Sequence, residues 1–209
     1  MIRVLPFATM MFLVASLPMQ AALLLQTPSF PLATPVPDKV GIIGYVALVD
    51  VGATPVAYNQ IGVFGQVLGQ LDMKFFIAPE GGAPVTLSQA TLAVESSPSW
   101  HLSDVLGVAG TLNANTTYYV GFATDGGSYQ SNFASFSPAD FTQNGLTQRG
   151  RSGQVSGTFA VPTVPPGGLS DTQFAIQIFG PDQGSAAVPE PATYVLLAIG
   201  LLAIAIKRP

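Results

Sequence analysis

The sequence contains no cysteine, a single histidine and a single tryptophan, and only 9% of its residues are charged. The absence of cysteine excludes disulfides, thiol catalysis and thiolate metal sites, and one histidine cannot build the usual zinc sites. The low charge does not predict disorder, because 48% of the residues are hydrophobic. The 22 glycines and 18 prolines are spread along the chain, which is typical of many short strands joined by turns.

Basic residues are scarce between Leu23 and Val188. This segment holds four basic and ten acidic residues, which gives a formal charge of −6. The four basic residues are Lys39, Lys74, Arg149 and Arg151. Because they form no patch in the sequence, we expect no nucleic-acid partner.

Residues 1–22 predict a secretory signal peptide. Arg3 precedes an apolar run from Val4 to Leu17, and small residues follow at Ala21 and Ala22, where a signal peptidase would cleave. Cleavage after either alanine fits the pattern. Residues 23–39 then predict a Pro-rich leader with extended, polyproline-like backbone.

The C-terminal residues combine a linker, an apolar run and a basic end. Residues 181–187 predict a linker, and the 15 residues 192–206 carry no charge. As a helix this run spans about 22 Å, short of the roughly 30 Å hydrocarbon core, so it predicts a transmembrane helix of marginal length. Lys207 and Arg208 predict a cytoplasmic membrane anchor by the positive-inside rule.

A short proline-bounded motif precedes the apolar run, with the sequence Val188-Pro189-Glu190-Pro191-Ala192-Thr193. The two prolines prevent a helix from starting inside the motif and hold it extended. The motif, the apolar run and the basic end together make residues 188–209 resemble the PEP-CTERM sorting signal. Pro189, Glu190 and Pro191 match the recognition motif of that family residue by residue.

The resemblance implies recognition by exosortase, a membrane-embedded cysteine protease or transpeptidase of Gram-negative bacteria. It implies export, transient anchoring in the inner membrane, and then sorting to the cell surface or extracellular matrix, commonly in species that make exopolysaccharide. Exosortase, the membrane and extracellular polysaccharide are therefore the expected partners. Many family members end in a longer Arg-rich run, whereas this chain has one lysine and one arginine there.

Residues 40–180 predict one all-β domain. Segments that alternate apolar and polar residues indicate half-buried strands; they are Leu71–Ala78, Thr117–Phe122, Gln154–Val161 and Gln173–Phe179. The longer apolar stretch Val40–Val51 predicts a strand buried on both faces, and residues 85–94 and 128–136 are weaker strand predictions. Many short strands at this spacing favour an antiparallel β-sandwich or jelly roll, flanked by the signal helix and the transmembrane helix.

The alternation also predicts which side chains share a face. In two of these strands the predicted apolar faces are Leu71, Met73, Phe75 and Ile77, and Val155, Phe159 and Val161. Glycine and asparagine clusters predict turns at residues 80–82, 113–115 and 125–127. No segment of this domain shows a sustained helical period, apart from a turn or a short helix around Pro138–Asn144.

Candidate catalytic residues are few. His101 has Ser103 and Asp104 close by in sequence, but a hydrolase triad needs its members to converge in space, and neighbours in sequence are not that signature. We therefore expect no catalytic residue, no metal and no cofactor. A carboxylate pair, as in glycoside hydrolysis, stays open as an alternative; the candidates are Asp50, Asp72, Glu80, Glu95, Asp104, Asp125, Asp140 and Asp171.

Aromatic residues crowd one region, with a tryptophan upstream; they are Tyr118, Tyr119, Tyr129, Phe133, Phe136 and Trp100. Such rings either fill a core or, when exposed, stack on sugars. The sequence thus predicts a non-enzymatic exported protein whose β-sandwich serves adhesion or glycan contact. The alternatives are an exported carboxylate-dependent hydrolase and a membrane-tethered structural protein without a specific ligand.

Overall fold

A computed structural model describes residues 22–27, 43–126, 129–131, 138–163 and 169–181. These residues form fifteen strands: β1 (Ala22–Gln26), β2 (Gly44–Val51), β3 (Val56–Tyr58), β4 (Gln60–Val67), β5 (Leu71–Pro79), β6 (Val85–Leu92), β7 (Ser99–Leu102), β8 (Gly110–Leu112), β9 (Thr117–Thr124), β10 (Tyr129–Ser131), β11 (Phe141–Gln143), β12 (Leu146–Gly157), β13 (Pro162–Thr163), β14 (Leu169–Ser170) and β15 (Ile176–Gly180). The described part of the chain contains no helix. The prediction of an all-β domain is therefore confirmed for these residues.

The strands form two main sheets and one short ribbon, and every pairing is antiparallel, as predicted. The five-stranded sheet has the order β1-β15-β4-β10, and β7 also pairs with β4. The eight-stranded sheet has the order β11-β12-β2-β9-β5-β6, with β13 and β14 also paired to β12. Strands β3 and β8 form the two-stranded ribbon.

One hydrophobic core lies between the two main sheets. Strand β5 contributes Leu71, Met73, Phe75 and Ile77, which is the face predicted from its alternation. Strands β4, β9 and β15 add their own alternate residues, among them Ile61, Val63, Tyr118, Val120, Phe122, Ile176 and Ile178. Burying such side chains stabilises each by about 1.5–3 kcal/mol, so period-two alternation specifies this core.

The eight-stranded sheet also buries its outer face. Val46 and Leu48 of β2 belong to a second cluster with Phe76 of β5, and Phe159 and Leu169 pack against that cluster. The other face of β2 belongs to the first core. The prediction of a strand buried on both faces is therefore confirmed for residues 44–51.

The first strand lies inside the segment predicted as a leader. Strand β1 pairs with β15, so that Ala22 lies opposite Gly180. Thr27 donates its backbone N–H to the carbonyl oxygen of Ile176 at 3.0 Å, and its hydroxyl donates to the side chain of Gln148 in the other sheet. Residues Ala22–Gln26, part of which is predicted as leader, thus form an edge strand of the five-stranded sheet.

Two local predictions need correction. Strand β12 ends at Gly157, whose φ of +90° turns the chain, so Val161 lies 70% exposed instead of continuing the predicted buried face. The segment around Pro138–Asn144, predicted as a turn or a short helix, contains strand β11 and then the turn Asn144-Gly145, and no helix. Gln143 pairs with Leu146 across Asn144-Gly145, and both turn residues have positive φ, as a two-residue hairpin requires.

Candidate functional site

His101 lies on β7, and its side chain points into the domain. Its Nε2 atom is 3.3 Å from the carbonyl oxygen of Gly65 and 3.3 Å from Oε2 of Glu95. Both neighbours are acceptors, so Nε2 carries the proton. Burial lowers the pKa of His101, and the charge of Glu95 and the bond to Gly65 oppose this only in part. His101 therefore supports the loop that holds Glu95.

Ser103 does not pair with His101. Its Oγ atom accepts the N–H of Ile61 at 3.1 Å and donates to the carbonyl oxygen of Asp104 at 3.1 Å. A nucleophile needs a base within hydrogen-bond reach, and the base available here bonds elsewhere. The geometry thus gives Ser103 the role of a backbone cap.

Several candidate carboxylates have structural partners. Glu95 accepts hydrogen bonds from the hydroxyl of Ser99 at 2.7 Å and from the N–H of Val67 at 3.3 Å. Asp72 accepts from the hydroxyl of Thr91 at 2.6 Å. Among the described residues, no group of three or more His, Asp or Glu side chains is placed to hold a metal ion.

Three further aspartates surround a β-bulge in β12. The register shifts between Gln148 and Ser152, so Arg149, Gly150 and Arg151 have no partner residue in β2. Asp140 accepts the N–H of Gly150 at 2.8 Å. The two arginines bind the other two aspartates, Arg149 to Asp50 and Arg151 to Asp171.

The two arginine–aspartate pairs differ in quality. Arg149 donates two hydrogen bonds to the carboxylate of Asp50, from Nε to Oδ2 at 2.7 Å and from Nη2 to Oδ1 at 2.8 Å. Burial raises the pKa of Asp50. The hydrogen bonds from Arg149 and Thr117 and the charge of Arg149 together lower it by more, so the pKa lies below its ordinary value. Arg151 reaches Asp171 only at 3.3 Å, and both side chains are more than half exposed. The bulge borders an open groove of about 360 Å³.

The predicted aromatic cluster lies mainly in the core. Tyr118, Tyr119 and Tyr129 are at most 5% exposed, and Tyr129 packs edge-on against Phe122 at 4.8 Å. Burial and then the charge of Glu95 raise the pKa of Tyr129 well above its ordinary value. These three tyrosines cannot stack on a ligand, and Phe133 and Phe136 lie outside the described residues.

Trp100 occupies a different position, on the outer face of the five-stranded sheet. It pairs across strands with Phe64 of β4, and the two ring centroids are 5.2 Å apart at a tilt of 57°. Both side chains are partly exposed. The pairing registers place the following residues on this face, which we call the amide–aromatic face: Leu23, Gln26, Gln60, Gly62, Phe64, Gln66, Trp100, Leu102, Gln130, Gln177 and Phe179.

Hydrogen bonds fix several of its glutamine side chains. Gln60 donates its amide N–H to the carbonyl oxygen of Ser103 at 2.7 Å, and Gln66 donates to that of Glu95 at 3.2 Å. Gln177 donates to Oε1 of Gln26 at 2.9 Å. The amides thus lie beside the Phe64–Trp100 pair in set orientations.

The amide–aromatic face carries no charge. The five strands of its sheet contain no Asp, Glu, Lys or Arg. Sequence reasoning named Trp100 but missed its partner Phe64 and the glutamines. The signal was present in Gln60–Val67, where polar or aromatic residues alternate with apolar ones.

The predicted sorting residues Pro189, Glu190 and Pro191 and the predicted anchor residues Lys207 and Arg208 lie outside the described residues. Among the residues that are described, none belongs to a helix capable of crossing a membrane. The sequence itself carries the evidence for this part of the chain.

Comparison with known protein families gives a match in this C-terminal part of the chain. Residues 187–208 match the family model described as the PEP-CTERM protein-sorting motif. No curated protein and no solved structure matches the chain. The chain thus carries a PEP-CTERM sorting motif at residues 187–208, and this motif supports an exported protein that is anchored in a membrane and processed by exosortase.

Proposed function

We propose that this protein is displayed at the cell surface or in the extracellular matrix of a Gram-negative bacterium, where its β-sandwich contacts polysaccharide without catalysing a reaction. Export through a signal peptide and transient anchoring through a transmembrane helix precede display. The sorting motif supports the route, and the amide–aromatic face supports the contact.

The observation that carries the glycan contact is the Phe64–Trp100 pair on an uncharged face. Aromatic rings offer a flat apolar surface for the C–H face of a sugar. Glutamine amides both donate and accept hydrogen bonds, as sugar hydroxyls do. The combination of rings and amides therefore suits a polyhydroxylated ligand.

A non-enzymatic role fits the positions of the titratable side chains. Asp50, Asp171 and Glu95 hold cations or loop backbone, and His101, on the same strand as Trp100, has a buried side chain. A hydrolase needs an acid and a base that face one substrate. The contacts of Asp50, Asp171 and Glu95 favour a structural role instead.

The route is tested by replacing Pro189, Glu190 and Pro191 together with alanine. The apolar run and the basic end that direct insertion are unchanged, whereas alanine favours helix where proline prevented it. The variant should accumulate uncleaved in the inner membrane of an exosortase-bearing host, as judged by apparent mass and membrane fractionation. Alanine at Pro35 and Pro37 is the control, and equal processing of wild type and triple variant would contradict the proposal.

The glycan contact is tested by fluorescence, because Trp100 is the only tryptophan. Titration of the purified protein with extracellular polysaccharide from an exosortase-bearing host should shift or quench its emission. Phe64→Ala should weaken binding about two- to tenfold, since an aromatic contact contributes about 0.5–1.5 kcal/mol. Phe159→Ala, which alters a ring packed against the other sheet, should bind like wild type; the loss of binding in both variants, or in neither, would contradict the assignment.

A further inference from the structure

We propose that the amide–aromatic face selects neutral polysaccharide chains and rejects acidic ones. This inference rests on the proposed glycan contact and adds the chemical class of the ligand. It follows from where the charges of the domain lie, from how the glutamine amides are oriented and from the length of the face.

The described cations all lie with the eight-stranded sheet, and each already has a partner. Lys74 donates to the carbonyl oxygen of Phe159 at 2.7 Å and lies 4.6 Å above its ring. Arg149 holds Asp50, and Arg151 holds Asp171. An acidic polymer on the five-stranded sheet would therefore find no lysine or arginine on its strands to pair with.

The net charge of the chain adds repulsion. Residues 23–188 carry a formal charge of −6, and like charges disfavour approach at ordinary ionic strength within about 8–10 Å. A uronic acid or sulfate group would lose hydration at the face without gaining an ion pair. A neutral sugar loses only hydroxyl–water bonds, which amides can replace.

The amides are oriented for hydroxyl groups. Gln60 and Gln66 each donate one amide N–H to a backbone carbonyl, so each keeps one N–H to donate to a ligand and a side-chain oxygen to accept from it. In the pair Gln177–Gln26, one N–H of Gln177 donates to the side-chain oxygen of Gln26, so the pair keeps its remaining N–H groups and the oxygen of Gln177. A neutral sugar chain supplies both donors and acceptors, whereas a carboxylate or sulfate group only accepts.

The face is long enough for a polymer. From Gln60 to Gln66, strand β4 covers about 20 Å at the usual rise per residue. Phe64 lies between these two amides on the same side of the strand, with Trp100 beside it. An extended chain that runs along β4 would thus meet an amide, the aromatic pair and a second amide in turn.

The test uses two pairs of polymers that differ in charge on the same backbone: hydroxyethylcellulose with carboxymethylcellulose, and dextran with dextran sulfate. The purified full-length protein is titrated with each polymer, and Trp100 emission reports binding. We expect a neutral member to bind at least about tenfold more tightly than its acidic counterpart, which corresponds to about 1.4 kcal/mol. Raising the salt concentration should narrow this gap, because it screens the repulsion.

The outcomes separate the two proposals. If an acidic polymer binds as tightly as its neutral counterpart, the inference is wrong and the glycan contact stands. If no polymer of either pair binds, the glycan contact itself fails and the inference fails with it.

A charge variant provides a second measurement. Gln66→Lys should gain up to about fivefold in affinity for carboxymethylcellulose, the amount an exposed ion pair provides, while Gln89→Lys on β6 should gain none. An equal gain in both variants would show that overall charge, and not this face, sets the selectivity.

Discussion

The two main sheets share one core but differ in what their outer faces carry. The eight-stranded sheet covers its outer face with a second hydrophobic cluster and carries the charged residues Asp50 and Lys74 beside it. In the part of the chain that the structure describes, no second cluster lies over the amide–aromatic face, and no charge lies on its strands. One outer face thus contributes to stability, whereas the other is the face that we propose to contact polysaccharide.

The largest expected effect contrasts a phenylalanine from each outer face. Phe76 is fully buried in the second cluster, so Phe76→Ala should lower the free energy of unfolding by about 3–5 kcal/mol. Phe64 is partly exposed, and Phe64→Ala should cost about 1 kcal/mol. Urea unfolding followed by circular dichroism measures both. Equal losses would mean that the two outer faces contribute alike to stability.

Sequence alternation identified the elements of this fold but not their arrangement. The faces of β5 and β9 could be predicted because a half-buried strand repeats every two residues. The five-stranded sheet could not, since it joins β1 to β15 from opposite ends of the chain, and period-two patterns do not say which strands pair. The Asn144-Gly145 hairpin could have been predicted, because Asn-Gly is the strongest short hairpin signal.

The candidate sites divide in the same way. The sorting motif is a linear signal, so the sequence alone located it and predicts Pro189, Glu190 and Pro191 as its recognition residues. The amide–aromatic face is built from five strands, and no local pattern reveals that Phe64 lies beside Trp100. Aromatic crowding in the sequence pointed instead to Tyr118 and Tyr119, which the core buries.

The next prediction concerns how the free energy of unfolding depends on pH through His101 of the five-stranded sheet. His101 has a lowered pKa in the folded state, so its contribution to stability is fully present above the unfolded value of about 6.5 and is lost as pH falls from there toward the folded pKa. The unfolding free energy should decline in this window by at most about 1.4 kcal/mol per pH unit. His101→Gln should remove this decline; a variant as pH-sensitive as wild type would exclude His101 as its source.

A smaller effect, of about 1 kcal/mol, concerns the eight-stranded sheet. Arg149→Met removes a bidentate partner from Asp50, which is itself about one-third exposed, so solvent screening limits the loss. The control Arg151→Met should change stability by less than about 0.5 kcal/mol, because that pair is exposed and poorly aligned. Urea midpoints at neutral pH compare the two variants.

The lowered pKa of Asp50 places this contribution in a different pH window. A depressed carboxyl pKa stabilises the fold above the unfolded value of 3.8, and the contribution disappears as pH falls through the folded pKa. The difference between wild type and Arg149→Met should therefore shrink only in strong acid. A difference that persisted unchanged in strong acid would point to packing by the arginine stem instead of the ion pair.

The smallest expected effect on stability comes from one glutamine on each sheet, and the two variants should differ in binding instead. Gln130 lies on the amide–aromatic face opposite Gln66, and Gln89 lies exposed on the edge strand β6 of the other sheet. Replacing either glutamine with alanine should change the unfolding free energy by no more than about 0.5 kcal/mol, because neither side chain fills a core. Binding should nevertheless differ: Gln130→Ala should weaken the interaction with neutral polysaccharide about fivefold, the value of one lost hydrogen bond, whereas Gln89→Ala should bind like wild type. If both variants bind normally, the glutamines of this face do not contact the ligand, and the aromatic pair alone carries the interaction.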